Sequence, residues 1–318
     1  MKIHTLIYTT LKNPGPATKK DIELLQEAAK KQGHILEVVS ALDCQLKFTP
    51  KPGVLIKNKK PSNMNVLLVR ANFLTGSLDF HSGLIKQFEL TGIPIINKHL
   101  PVLRAKNKQR NLQTLSKHNI PIPKTYIIRS PEYADDVVND IGSYPVIIKT
   151  IAGSHGQGVS IVESGRGLKS IVGMIVSDKN SAPLLVQEYI RESEGKDIRV
   201  FILGKRIIGA MERIATQKGE FRSNFHLGGR VLVAEMSRKE KDVAFAAVKA
   251  CGLDMAGVDI LRTNSGPKVL EVNANPGLEG ITLATGRDVA GEVIKFTVKK
   301  AKQYQKKIDK QKKTKNGL

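Results

Sequence analysis

Three oxygen-bearing side chains, Asp259, Glu271 and Asn273, fall on two short apolar strands around the turn Thr263-Asn264-Ser265-Gly266-Pro267. A hairpin centred on Ser265 sets Asp259 opposite Glu271 and Gly257 opposite Asn273, so all three share one face. The other face pairs Val258 with Val272 and Ile260 with Leu270 and reads as core. Two carboxylates directly opposite, roughly 5 Å apart at Cβ, repel each other. A hard divalent cation relieves that repulsion, and Asp, Glu and Asn oxygens are what magnesium takes. A solvated hairpin with two exposed acids is the competing reading.

A second set lies upstream. The strand PVIIK carries Lys149 at its end, followed by Gly153-Ser154-His155-Gly156-Gln157-Gly158 and the strand VSIVE. A P-loop needs a helix after its glycines and a Lys-Ser or Lys-Thr pair, and neither is here. Strand, glycine loop and strand instead suggest a flap whose backbone N–H groups, around Gly156 and Gly158, close over phosphates beside Lys149. Backbone groups near Glu188 and Tyr189, at the end of LLVQEYI, suit an adenine edge. Asp197 suits ribose hydroxyls or, equally, an ion pair at a strand edge; it shares a face with Arg199. Arg222 and Asn224, in a polar loop with Ser223, are typed for phosphate and metal. No Ser-His-Asp or Cys-His constellation suggests a covalent enzyme intermediate.

These residues need elements to position them. Strand and helix alternate over the first hundred residues: HTLIYTT, a helix over 19–32 ended by Gly33, ILEVVS, NVLLVR, a helix over 84–90 ended by Gly92, then IPIIN. That order argues for a small parallel sheet, and LKNPGPATK lacks the glycines of a dinucleotide fingerprint. Arg70 and Asn72 fall at the C-terminal end of a strand, where such sheets collect ligands. Arg70 suits a substrate carboxylate, with an ordinary surface arginine as the alternative. Residues 104–118 read as one basic helix with Leu112 and Leu115 inward, and Ile120-Pro121-Ile122-Pro123 marks a domain entry. DIRVFIL and RIIGAMERI form a hairpin about Gly204-Lys205. Helices are expected over 238–250 and 288–304, followed by a disordered lysine run.

Composition bounds the function. The 318 residues are 41% hydrophobic and carry 51 Lys+Arg against 29 Asp+Glu, a net charge of +22. Such charge implies a polyanionic partner: nucleic acid, nucleotide or acidic polypeptide. The last twenty residues hold nine lysines and one aspartate. With no Trp and few aromatics, a base-stacking platform for single strands is poorly supported. No apolar run approaches the roughly 18 residues of a membrane span, and the N-terminus lacks a signal-peptide plan. Cys44 and Cys251 suggest neither a disulfide framework nor a zinc site, so a cytoplasmic location is expected.

Taken in order, Lys149, the glycine flap, Gln187-Glu188-Tyr189-Ile190, Asp197, Arg222-Ser223-Asn224, Asp259 and Glu271-Val272-Asn273 resemble the ATP-grasp ligases. The phrases GKDIR, FRSN, AGVDIL, GPKVLEVNANPGLEGI and ATGRDVAG are similar to the RimK-type glutamate ligases. The resemblance implies an α/β chain, α+β in its C-terminal part, with an ATP-grasp fold behind a small parallel-sheet βαβ domain. The divisions expected are 1–103, a central part with the flap at 104–190, a part with the metal site at 191–298, and a basic tail at 299–318. It implies that Lys149 and Arg222 bind the transferred phosphate and that Lys108 reaches a phosphate from the preceding helix. Glu188 and Tyr189 would hold adenine, Asp197 the ribose, and Asp259, Glu271 and Asn273 two magnesium ions, with manganese as the alternative ion.

The implied reaction is ATP-dependent addition of L-glutamate to the C-terminal glutamate of a protein, the sixth small-subunit ribosomal protein, through an acyl phosphate with release of ADP. A homo-oligomer, no membrane, and contact of the basic tail with ribosomal RNA are expected. Two departures, the GSHGQG flap and the lysine tail, bear on the acceptor and not on the ATP chemistry. The rivals are a ligase acting on a small-molecule acid and an inactive ribosome- or nucleic-acid-binding relative. A protein-kinase-like phosphotransferase is disfavoured by the absence of HRD and DFG signatures.

Overall fold

The computed structural model describes residues 1–7, 15–61, 63–70, 78–151, 158–176, 183–217 and 229–316. The first hundred residues form the expected parallel sheet. Its elements are β1 (Lys2–Ile7), α1 (Pro16–Lys31), β2 (Ile35–Ser40), β3 (Cys44–Lys47), β4 (Gly53–Ile56), β5 (Val66–Val69), α2 (Leu78–Leu90) and β6 (Ile95–Ile96). The sheet order is β2-β1-β5-β6 with every pairing parallel. In α1, Ile22, Leu25, Ala28 and Ala29 are buried at helical spacing, with Pro in its first turn. The antiparallel hairpin β3–β4 was not legible in CQLKFTPKPG, where prolines interrupt a weak pattern.

The basic stretch is two helices, not one: α3 (His99–Lys106) and α4 (Lys108–Lys117). Asn107 leaves helical geometry at φ −107°, ψ 119°, and its side chain caps α4 by accepting from the Arg110 amide at 2.9 Å. The boundary expected after residue 103 therefore falls inside α3. The buried residues of α4 are Asn111 and Leu115, with Leu112 only partly covered.

The central part comprises β7 (Thr125–Ile128), α5 (Ala134–Ile141), β8 (Val146–Thr150), β9 (Val159–Val162), α6 (Gly165–Val176) and β10 (Leu184–Glu188). Its antiparallel sheet runs β7-β10-β8-β9 and packs α5 and α6 around a core of its own, built on Val146, Ile148, Leu168, Val172 and Val186.

The last part contains β11 (Lys196–Leu203), β12 (Arg206–Ile214), β13 (Arg230–Val233), α7 (Arg238–Cys251), β14 (Met255–Leu261), β15 (Lys268–Asn273), α8 (Glu279–Thr285) and α9 (Val289–Asn316). The sheet order is β13-β12-β11-β14-β15, all antiparallel. One face, with Ile198, Val200, Val258 and Val272, shares a continuous core with Leu67 of the first sheet and with Leu84 and Phe88 of α2. Asn97 fastens that joint. Its Nδ2 donates to the carbonyls of Met255 at 2.7 Å and Ala274 at 3.0 Å, and its Oδ1 accepts from the amides of Asp254 and Met255. The first and last parts are thereby one packed body, while the central sheet stands on a separate core.

The lysine tail is not disordered to its end: α9 continues through Asn316. Past Ala301 it has no buried side chain among the described residues. Its helicity there rests on straight-chain Lys and Gln, on cations at the negative end of the helix dipole, and on the bond from Gln305 to Asp309. Among the described residues no helix is long and apolar enough to cross a membrane.

Candidate active site

The metal hairpin forms in the expected register at its chemical end. Asp259 pairs with Glu271, Val258 with Val272 and Gly257 with Asn273. Beyond Asp259 the register slips, and Ile260 faces Val269, not Leu270. Gly257 is required by the loop that follows β15, because a Cβ there would meet Pro276 Cβ at 2.8 Å.

The opposed carboxylates are not left to repel. Asp259, 2% exposed, accepts from Arg199 Nε at 2.6 Å and Nη2 at 2.5 Å, and from Arg213 Nη2 at 2.8 Å. Arg213 also clasps both oxygens of the buried Asp197. The result is an alternating chain, Asp197–Arg213–Asp259–Arg199, laid across three adjacent strands by period-two geometry. Burial alone would raise the Asp259 carboxyl, but Arg199 and Arg213 hold it down at about 2. The ion-pair reading of Asp197 is thus the one observed. Sequence reasoning missed Arg213: a hairpin about Gly204-Lys205 sets Asp197 opposite Glu212, and only the bulge between Phe201 and Ile202 moves the pairing to Arg213.

Glu271 is different. Its side chain is 41% exposed, it accepts from Asn273 Nδ2 at 2.8 Å, and Arg199 Nη2 stands 3.9 Å away. A carboxylate and an amide side by side are suitable oxygen chemistry for magnesium, so Glu271 and Asn273 fit the ion. Asp259 offers its oxygens only in competition with two guanidinium groups. Among the described residues no three His, Cys, Asp or Glu side chains group as a metal site.

Around Glu271 three lysines converge. Lys106 ends α3, Lys108 begins α4 and Lys149 sits on β8, so the break at Asn107 turns two cations toward the same place. Lys149 Nζ donates to Gln187 Oε1 at 2.8 Å, and Lys108 Nζ donates to the Thr150 carbonyl at 3.2 Å. Burial pushes the Lys106 and Lys149 ammonium groups down to about 8, against the pull of Glu271. Lys108 is lowered for the same reason, with Glu271 again opposing. Sequence reasoning found Lys108 and Lys149 but not Lys106, hidden by the assumption of an unbroken helix. Asn111 fixes the approach. Its Nδ2 donates to the Val272 carbonyl and its Oδ1 accepts from the Val272 amide, both at 3.3 Å, pinning α4 to β15 between Glu271 and Asn273.

Glu188 closes the other end of β15. Its Oε2 accepts from Lys268 Nζ at 2.7 Å and from the Lys124 amide at 3.0 Å. Burial beside Glu194 pushes the neighbouring Tyr189 phenol up to about 12. Gly158 ends the flap at φ +68°, its carbonyl accepts from the Thr150 amide at 3.0 Å, and a Cβ there would lie 2.5 Å from Thr150 Oγ1. The hairpin itself therefore demands that glycine. Gly156, Arg222, Ser223 and Asn224 lie outside the described residues.

Comparison with solved structures gives the architecture its name. The ATP-grasp ligase PsnB, complexed with a phosphomimetic variant of minimal precursor, Mg and ADP, superposes with a TM-score of 0.69 at 17% identity, over 93% of this chain and 98% of that one. The fold is the ATP-grasp fold. A RimK-like ATP-grasp domain matches residues 105–297. The probable alpha-L-glutamate ligase 2 of Pseudoalteromonas atlantica is 39% identical over 280 residues, 87% of this chain and 91% of its own. The ribosomal protein bS6–L-glutamate ligase of Shigella boydii is 37% identical over 273 residues, 86% and 89% of the two chains. The chain belongs to the RimK-like ATP-grasp family.

Proposed function

We propose that the chain joins L-glutamate to the C-terminal glutamate of an acidic protein tail, at the expense of ATP. The observation that carries this reading is the convergence of Lys106, Lys108, Lys149 and Arg199 on Glu271 and Asn273. Four cations around one partly exposed acid suit a polyphosphate whose charge must be neutralised before transfer. An oxygen of the acceptor carboxylate attacks the γ-phosphorus, the β–γ bridging P–O bond breaks, and ADP leaves. The glutamate amine then attacks the acyl carbon, a proton is lost from nitrogen, and inorganic phosphate departs. Lys149 and Lys108 hold the phosphate oxygens in this scheme, with Arg222 reserved for the transferred group and Gly156, Ser223 and Asn224 for the nucleotide. Glu188 and Tyr189 frame the adenine, and Asp197 acts on the ribose side through the strand it anchors. Magnesium, or manganese, would be held by Glu271 and Asn273, with Asp259 as the third ligand, and would supply positive charge to neutralise the phosphates.

The relatives' names support glutamate as the amine and a ribosomal protein as the acceptor. The net charge of +22 supports an acidic acceptor independently, and the exposed lysines of α9 suit ribosomal RNA. Mass spectrometry of an acidic peptide ending in glutamate, incubated with ATP, magnesium and glutamate, should show a ladder of glutamyl additions. An unmodified peptide, with ADP release driven by a small free acid, would favour the small-acceptor ligase.

The lysines add a pH signature. With burial lowering both Lys106 and Lys149 to about 8 in the free protein, kcat/KM for ATP should fall above that pH, approaching about a hundredfold per pH unit where both protons are needed. Turnover at saturating ATP should hold to higher pH, because bound phosphate raises both groups. Their folded values lie below the ordinary lysine value of 10.5, so the unfolded chain binds more protons between about 8 and 10.5. Their own contribution to stability therefore rises with pH across that window. A flat kcat/KM profile from pH 7 to 9.5 would remove both lysines from phosphate binding.

A further inference from the structure

Arg70 is the group that the phosphate chemistry leaves unexplained. It follows β5 at the C-terminal edge of the parallel sheet and is only 3% exposed, so the surface alternative falls. Its Nη2 donates to Asp21 Oδ2, while Nε and Nη1 have no hydrogen-bond partner. A buried guanidinium with two unused donors is costly, and such a group in a native fold calls for a ligand or water. The donors belong to a small pocket of mixed polar and apolar lining, formed by Thr18, Asp21, Ile22, Leu25, Arg70 and Asn275.

The pocket's position ties it to the reaction. Asp21 Oδ1 accepts from the Leu278 amide at 2.9 Å, so α1 is joined through it to the loop after β15. Arg70 also lies close enough to Lys106 for its charge to be felt there, and Lys106 faces Glu271 in turn. The pocket is therefore next to the phosphate site and is built from different elements. Its one carboxylate, Asp21, satisfies one of the three guanidinium nitrogens. The chemistry that completes it is a second carboxylate, which Arg binds more strongly and more directionally than a neutral group.

We propose that Arg70 holds a carboxylate of one of the two substrates that the ligase joins, either the incoming amino acid or the acceptor tail. The inference rests on the ligase reading above and adds the residue that recognises one of its acids. Asp21 orients the guanidinium, and Arg70 is a binding residue that takes no part in phosphoryl transfer.

The test is Arg70→Gln in the full-length chain, made also together with Asp21→Asn so that no buried carboxylate is left alone. Titration calorimetry of L-glutamate, and separately of an acidic peptide ending in glutamate, in the presence of ADP and magnesium reads binding without turnover. Either the glutamate or the peptide affinity should fall roughly tenfold to a hundredfold, the range for a lost charge-assisted hydrogen bond. ADP affinity should stay within about twofold. Loss confined to glutamate assigns the pocket to the amino acid, and loss confined to the peptide assigns it to the acceptor. Unchanged affinity for both, with only a lower melting temperature, makes the Arg70–Asp21 pair a strut and overturns the proposal. So does a wild-type chain that binds neither acid. ADP release by the wild type with both acids present is scored separately, and its absence would sink the ligase reading whatever the titrations give.

Discussion

Glu271→Gln should lower magnesium-dependent ADP release by about 10²- to 10³-fold while leaving the fold in place. The side chain is 41% exposed, and glutamine keeps the oxygen that accepts from Asn273. Arg199 retains its bidentate partner Asp259. Stability should fall modestly with the fold retained, because Lys106, Lys108 and Lys149 lose a shared countercharge. A second readout follows from the three lysines. Glu271 is the shared countercharge that raises Lys106, Lys108 and Lys149, so its neutralisation should move the alkaline limb of kcat/KM to lower pH. Turnover within threefold of wild type, or an unmoved alkaline limb, would show that this acid is not the centre of the site.

Asp259→Asn should behave in the opposite way and lose stability first. Two acids facing each other suggest that removing one is benign, but the arginines reverse that expectation. Asp259 and Arg213 are 2% and 4% exposed, and breaking a buried, hydrogen-bonded ion pair costs about 3–5 kcal/mol. A loss of that order should lower the melting temperature by roughly 5–15 °C in a chain of this size. The carboxyl is held at about 2 against an ordinary 3.8, so its contribution is complete above pH 4 and fades as pH falls toward 2. Denaturant titrations of wild type and variant should thus differ most near pH 7 and converge below pH 3. Equal stability at pH 7 would mean that the alternating chain contributes little, and the Asp259 assignment would return to the metal alone. Because folding and activity fall together in this variant, its kinetics alone cannot assign a ligand role; Glu271→Gln carries that question.

Much of the site was legible because strand period and motif spacing are local properties. The facing of Asp259 and Glu271, read from six residues on either side of Ser265, is the one observed, but it is reached through a bulge: the turn end pairs Leu261 with Lys268, a register that would otherwise set Asp259 opposite Leu270. The helices ended by Gly33 and Gly92 follow from glycines at positive φ, which stop a helix wherever the chain lies. ILEVVS, KVLEVN and the hairpin about Gly204 are strands for similarly local reasons. The register slip beyond Asp259 is not local in this sense: it depends on how Val269 and Ile260 pack in the shared core.

What the sequence by itself determined is the inventory: oxygen donors on one hairpin face, a lysine before a glycine loop, and the order of motifs that resembles a ligase family. What only the tertiary structure decided is which charges meet. Arg213 reaches Asp259 across 46 residues and Arg199 reaches it across 60, contacts no spacing rule announces. Lys106 enters the site because Asn107 interrupts a helix, and Asn111 holds β15 because an edge strand had backbone groups to satisfy. Arg70 is buried because the loop after β15 packs over Asp21. The physical reason is common to these five residues. A charge is assigned its partner by desolvation and by the strands laid beside it, and both exist only once the sheets have packed.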